Sequence, residues 1–290
     1  PIRVARPPRP ELTVEEKLAS LPPKIKPPVN SDRELPAIPA QATAAAAEAR
    51  EHLAAGNLNE ARLRMERAVA FAPGDPGLQQ ELGGIYLELQ NYGKAMEHLL
   101  AAHKRRPDDS ALQLALGRAF DAQNNSTRAG QHYRLALMCS DAAPDVPQTA
   151  YAMGRLAEQV SRQGNNEAAL AAYDILAIWV AEHGEIYAAD PLTADLAGSA
   201  DVIELARAEL LMKLDYPAEA VDMLEAAYVE SPDSAAILGL YVDALAKSGR
   251  ASEAMVLLAS YEGDEIGSEH VLPVLEDQAY DAAIEGTQLA

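Results

Sequence analysis

Aromatic residues are scarce in this chain. They make up 5% of 290 residues, with two Phe and one Trp, although 49% of the residues are hydrophobic. That balance excludes a thick globular core built around large rings. A core of Ala and Leu suits thin helices packed closely together. There is one cysteine, Cys139, in the helical run LALMCS. A lone cysteine excludes an intrachain disulfide and a cysteine zinc cluster, and reads as a small buried apolar residue. No run approaches the ~18 apolar residues that a membrane helix needs. After residue 40, no segment of useful length alternates with the period of a strand.

Catalytic signatures are missing as well. His98 and His103 are spaced so that they do not share a helix face as the pair in H-E-x-x-H does. There is no G-x-S-x-G and no phosphate-cradling glycine loop, since Gly83-Gly84 falls inside a helical pattern. The acidic pairs Glu15-Glu16 and Asp108-Asp109 read as helix starts, where negative charge meets the helix dipole. The expectation is a protein that is not an enzyme and uses no cofactor and no metal. Positive charge is also in short supply, with 24 Lys and Arg against 44 Asp and Glu and a net charge of −20. Such a surface repels phosphate backbones, so nucleic acid is not an expected partner. A basic or neutral protein is.

What the chain does have is a period. Residues Leu82 to Pro107 carry Leu82-Gly83, Tyr86, Ala95, Leu99, Ala102 and Pro107. Apolar residues recur at helical spacing on both sides of Asn91. Two short helices joined by a polar turn would approach through the small residues Gly83, Ala95 and Ala102, where larger side chains would push the axes apart. The stretch resembles a tetratricopeptide repeat, W-x2-L-G-x2-Y, then A-x3-F, then P in 34 residues. Leu99 stands in place of the aromatic, and Gln79 in place of the tryptophan.

The marks recur. One period earlier lie Ala61, Met65, Ala68 and Pro73, with Ala49 at the Gly83 place. One period later lie Leu116-Gly117, Phe120, Ala129, Tyr133 and Ala136. A weaker fourth pair carries Leu156-Ala157, Val160, Gly164, Ala169 and Tyr173. A fifth carries Ala208, Leu211, Ala220, Leu224, Ala227 and Pro232, and a sixth Leu245, Gly249, Ala254 and Leu258. The expected fold is an all-α, right-handed solenoid of about six helix pairs over residues 42–261, interrupted near 182–200. Capping agrees with the period: Asp75-Pro76, Ser110 and Ser234 read as helix starts. Gly56-Asn57, Asn124-Asn125 and Gly164-Asn165 read as turns between helices. The interruption, 179–202, reads as an extended helix end, a loop and a short helix. Residues 262–290 are expected to cap the array, with Val271, Leu272, Val274, Leu275 and Tyr280 on a last amphipathic helix.

Residues 1–41 differ in kind. Prolines at 7–8, 10, 22–23 and 27–28 favour an extended arm. Thr13 and Glu16 make a capping box that opens a short helix to about Ser20. Seven basic against five acidic residues leave positions 1–40 at +2 and the rest at −22. Apolar residues Ile2, Val4, Leu12, Val14, Leu18, Leu21, Ile25 and Val29 are interspersed with basic ones. This arm is expected to dock on the acidic solenoid of a second copy, because forty largely extended residues span on the order of 100 Å. The chain starts at Pro1 without a Met. That suggests a processed or trimmed chain, and an extracellular or periplasmic setting ahead of a cytoplasmic one.

The resemblance implies a groove, lined by the first helix of each pair, that binds an extended peptide. Its places carry Ala46 and Arg50, Gln80 and Gly84, and Leu114 and Arg118 in the first three repeats. Further along they carry Glu158, Glu209 and Asp243. The Lys-Asn pairs of a carboxylate-clamping subtype are absent from these places. The partner-binding candidates are therefore Arg50, Gln80, Gly84, Arg118, Glu158, Glu209 and Asp243, in a groove that turns from basic to acidic. Together these readings point to a scaffold that self-assembles into an oligomer or filament through its arm. The alternative is an adaptor that binds an extended peptide or a subunit of a heteromeric complex.

Overall fold

The computed structural model describes residues 9–30, 37–197 and 200–260. Ile2, Val4 and the expected capping segment 262–290 lie outside them. The described residues hold fourteen α-helices. They divide into two compact units, one of residues 21–159 and the other of residues 1–20 with 160–290.

The 21–159 unit is a stack of helix pairs. Helix α1, Val14–Ser20, belongs to the other unit. Here α2 (Ala40–Ala54) packs on α3 (Leu58–Phe71), α4 (Pro76–Glu88) on α5 (Tyr92–His103), and α6 (Ser110–Ala122) on α7 (Ser126–Ala136). Each pair also meets the next, α3 against α4 and α5 against α6. Helix α8, Pro147–Arg162, follows. The close approach within a pair is made by residues one period apart. Gly83 and Gly117 on the first helices face Leu99 and Tyr133 on the second, Ala49 and Met65 hold the same places one period earlier, and all six are buried. A Cβ on Gly117 would stand 2.5 Å from the Tyr133 ring. The small residue is therefore dictated by the large one it receives. Each fully buried Leu, such as Leu82 or Leu99, contributes about 1.5–3 kcal/mol.

The other unit holds α9 (Asn166–Ala189), α10 (Ala194–Ala197), α11 (Ala200–Lys213), α12 (Pro217–Glu230), α13 (Ala235–Lys247) and α14 (Ala251–Ser260). Helix α9 packs on α1, α10 and α11, and α12 packs on α11 and α13. The interruption read from sequence is the long C-terminal half of α9 followed by α10 folded back on it. It is pinned by the buried Thr193 hydroxyl, which donates to the Tyr187 carbonyl at 2.9 Å.

Six turns between helices share one solution. Gly56, Gln90, Asn124, Gly164, Asp215 and Gly249 all have positive φ. The next residue donates its N–H to a carbonyl of the preceding helix, as Asn91 does to Tyr86 and Asn125 to Phe120, both at 2.9 Å. This closes the helix C-terminus by a Schellman bond. The side chains of Asn91, Asn125 and Asn165 then accept from the N–H groups of Lys94, Arg128 and Ala168 and cap the next helix. One residue ends one helix and begins the other.

At the helix starts, Asp75 accepts from Leu78 at 2.8 Å and Ser234 caps α13. The start of α6 differs from expectation. Asp109 is the N-cap, accepting from Leu112 at 2.9 Å. Ser110 is one residue further in and buried, donating its N–H and hydroxyl to Asp141. The ionised carboxylate outcompetes the hydroxyl for the orphan N–H groups.

Candidate functional site

The first helices α2, α4 and α6 line a pocket of about 300 Å3. Its apolar walls are Ala49, Leu53, Met65, Ile85, Leu87 and Ala115, and Gly84 leaves the space open. Nothing lies within 4 Å of where a Gly84 Cβ would sit. Two ion pairs frame it. Arg50 on α2 binds Glu81 on α4 through two bonds of 2.8 and 2.6 Å. Arg118 on α6 binds Glu88, also on α4, at 3.0 Å. Both pairs are partly exposed, so each contributes little to stability, about 0–1 kcal/mol. Their effect is local: each Arg arrives already neutralised, with donors and acceptors side by side.

Of the seven groove candidates, Arg50, Gly84 and Arg118 meet in this pocket. Gln80 does not line it and donates instead to the Asp109 carboxylate at 3.2 Å. Glu158 on α8 is paired with Arg155 at 2.8 Å. Glu209 and Asp243 sit on α11 and α13 of the other unit, Glu209 beside Lys213. Sequence reading named the basic places and missed their acidic partners Glu81 and Glu88. Those carboxylates lie three and four residues from Gly84, on the neighbouring faces of α4.

A second arrangement was also missed. Asp174 on α9 is 4% exposed. It is met by Arg207 of α11 at 2.9 Å, by Lys17 of α1 at 3.0 Å and by Arg9 at 3.7 Å. Arg9 also binds Glu219 of α12 at 2.8 Å. Arm residues thus supply two of the three cations around a buried carboxylate. The described arm residues meet these partners within their own chain. Most of its apolar residues stay open to solvent. Leu12 is 43% and Val29 78% exposed, and Val14, Leu18 and Ile25 are only half-buried. Leu21 is fully buried, and Asn30 exchanges two hydrogen bonds with the backbone of Asp108. The ion pairs of Arg9 and Lys17 and the buried Leu21 hold the arm.

Asp108, Cys139 and Asp141 also lie close together. Asp108 is taken by the Ser140 N–H and hydroxyl, both at 2.7 Å, and Asp141 by Ser110. Burial pushes the Cys139 thiol up to about 12, aided by the charges of Asp141 and Asp108. The cluster is a clasp between loops, and its thiol stays protonated.

Residues 52–119 and 211–265 match the family model described as tetratricopeptide repeat. The chain carries tetratricopeptide repeats. Each matched stretch falls in one unit, and the pocket lies almost wholly in the first. The solved structure of YrrB, a tetratricopeptide repeat protein with an unusual peptide-binding site, is similar in fold. It is 13% identical at a TM-score of 0.51, covering 70% of this chain and 97% of that one. The chain also resembles Pseudomonas aeruginosa pilF, 15% identical at a TM-score of 0.48, over 83% of this chain and 97% of that one. PilW, a type IV pilus biogenesis factor, is 19% identical at a TM-score of 0.46, over 81% and 98%. These are likenesses of fold. No curated protein sequence matches the chain. The tetratricopeptide repeat array is a scaffold for protein–protein interaction. No helix among the described residues is long and apolar enough to cross a membrane.

Proposed function

We propose that this scaffold holds an extended segment of another protein across α2, α4 and α6 and performs no catalysis of its own. The observation that carries this reading is the pocket. Its volume fits one large apolar side chain, and its floor is apolar from α2 to α6. The framing pairs Arg50–Glu81 and Arg118–Glu88 offer donors and acceptors to the backbone on either side. The test is a displayed library of short random peptides panned against the full chain and counter-screened on Gly84→Leu, which fills the pocket. Enriched clones should lose at least ~tenfold in affinity on the variant, as expected for losing a buried apolar anchor. Clones that bind Gly84→Leu equally well would end the reading.

A second reading is supported by the arm. Lys17 and Arg9 meet partners 157 and 210 residues away in the chain. Contacts so distant in sequence form equally well with the arm of a second copy, which would build an oligomer or a filament. Light scattering over a range of concentrations tests this. A mass that rises with concentration in the wild type, and not in Arg9→Glu/Lys17→Glu, supports arm exchange. A mass that never rises removes it.

A further inference from the structure

The tryptophan place of the repeat is filled by a buried glutamine twice, at Gln79 and Gln113, and each glutamine is locked by the same neighbours one period apart. The Gln79 amide nitrogen donates to the Pro73 carbonyl at 2.8 Å, and that of Gln113 to the Pro107 carbonyl. A proline carbonyl only accepts, so the amide nitrogen must face it and the amide oxygen must face away. That oxygen meets His98 Nδ1 at 2.7 Å in the first case and His132 Nδ1 at 2.8 Å in the second. Both imidazoles therefore carry their proton on Nδ1. His98 stacks on Tyr86 at 5.5 Å between centroids, and His132 on Phe120 at 5.2 Å.

Apart from Tyr86 in place of Phe120, the two junctions differ in one residue. The second N–H of the Gln113 amide points to His103 Nδ1 at 3.2 Å. His103 ends α5, and Val69 holds the equivalent place one period earlier. The amide is already donating, so His103 Nδ1 must accept and its proton must sit on Nε2. His103 and His132 thus hold opposite tautomers around one glutamine, with ring centroids 5.8 Å apart.

We propose that Pro107, Gln113, His103 and His132 form a proton-sensitive joint: a proton taken up at His103 Nδ1 sets donor against donor and loosens α5 from α6 and α7. Rotating the amide does not relieve this, because its oxygen would then face the Pro107 carbonyl. Protonation of His132 adds a second penalty, since it places a cation beside His103 and beside Arg128 of its own helix. From α6 it faces Gln113 and Phe120, which carry no charge. Burial lowers the pKa of both imidazoles, His103 in direction and His132 to about 4, where the nearby His103 and Arg128 add to the effect. The folded value lies below the free value of about 6.5. The joint is therefore intact above that free value and is lost as pH falls through the window toward about 4. The Gln79 junction, with Val69 in place of the second imidazole, is the internal comparison. A weakened joint also frees α6, which carries Ala115 and Arg118 of the pocket. That consequence rests on the proposed function, and the joint itself does not.

Hydrogen exchange of the full chain at pH 7.5 and 5.5, corrected for intrinsic rates, tests the joint without any ligand. Amides of α5 to α7 should lose at least ~tenfold in protection relative to those of α2 and α3, the change that one unit of pKa shift brings. His103→Gln keeps an acceptor that takes no proton, and should remove most of the loss. A uniform loss along the stack, or a loss that persists in His103→Gln, overturns the proposal. Should that variant fail to fold, nitrogen-15 spectra of the wild-type imidazoles decide. Expected at pH 7.5 are a bare Nδ1 on His103 and a protonated Nδ1 on His132; matching tautomers overturn it.

Discussion

Gly83 and Leu99 occupy each other's space. A Cβ on Gly83 would stand 2.6 Å from Leu99 Cγ, with the Ala95 carbonyl at 3.3 Å behind it. Gly83→Ala is therefore expected to cost about 1–3 kcal/mol, the usual cost of overpacking. Gly84, the next residue, has nothing within 4 Å. Gly84→Ala should instead stabilise by about 0.5–1 kcal/mol, because a helix interior with room for a Cβ prefers Ala. Urea melts of the two variants should move in opposite directions. Melts that move together would refute the pairing.

The turn residue Gln90 sits at φ 57, and Asn124 also sits at φ 57. A side chain in this region costs roughly 1–2 kcal/mol, and Asn bears it best. Gln90→Gly should raise stability by about 0.5–1 kcal/mol once the greater freedom of the unfolded glycine is counted. Asn124→Gly should gain less. Equal shifts in thermal midpoint would show that the turn geometry is set by something other than the residue.

Arg9→Glu/Lys17→Glu removes two cations from Asp174 and sets new charge against Glu219, while Arg207 still holds Asp174. Breaking one side of a buried pair costs about 3–5 kcal/mol when nothing replaces it. With Arg207 in place, the cost should fall on the arm alone. Limited proteolysis should cut the variant early within residues 9–20 and leave α9 to α14 as resistant as in the wild type. Cleavage spread through those helices would show that the arm is structural for the whole unit.

Cys139 is 5% exposed, and its thiol is pushed up to about 12. The thiolate is the reactive form. Iodoacetamide at pH 7.5 should leave Cys139 unmodified in the folded chain and alkylate it in urea, as read by mass spectrometry. Ready alkylation of the folded chain would place the thiol elsewhere.

The fold was legible because the constraint recurs. Small residues at 49, 83 and 117 and their large partners at 65, 99 and 133 keep a fixed period, and a period survives translation into structure. The pocket was legible only in part. Arg50, Gly84 and Arg118 follow from the period, but Glu81 and Glu88 act across neighbouring helices, and one repeat read alone does not show which carboxylate reaches which arginine. The ion pairs of the arm were not foreseen, because weight was placed on its apolar residues. The signal lay in α9 instead: Asp174 is a single carboxylate in the apolar run AAYDILAIWV, and a buried carboxylate must find cations. The joint at His103 was hidden because His98 and His103 were compared with each other as metal ligands. The spacing that mattered is that between His98 and His132, one repeat apart.

The placement of Arg9 has a consequence for how the molecule is made. Its partner Glu219 lies 210 residues further along the chain. At ribosomal speeds of about 5–20 residues per second, some 10–40 s separate the synthesis of the two. The pairs α2/α3, α4/α5 and α6/α7 join neighbours in sequence and close as they emerge. Arg9 and Lys17 are made before α9, α11 and α12 and can pair only once those helices exist. During that interval the cations of Arg9 and Lys17 have only water for a partner, and the closing of these pairs conceals them.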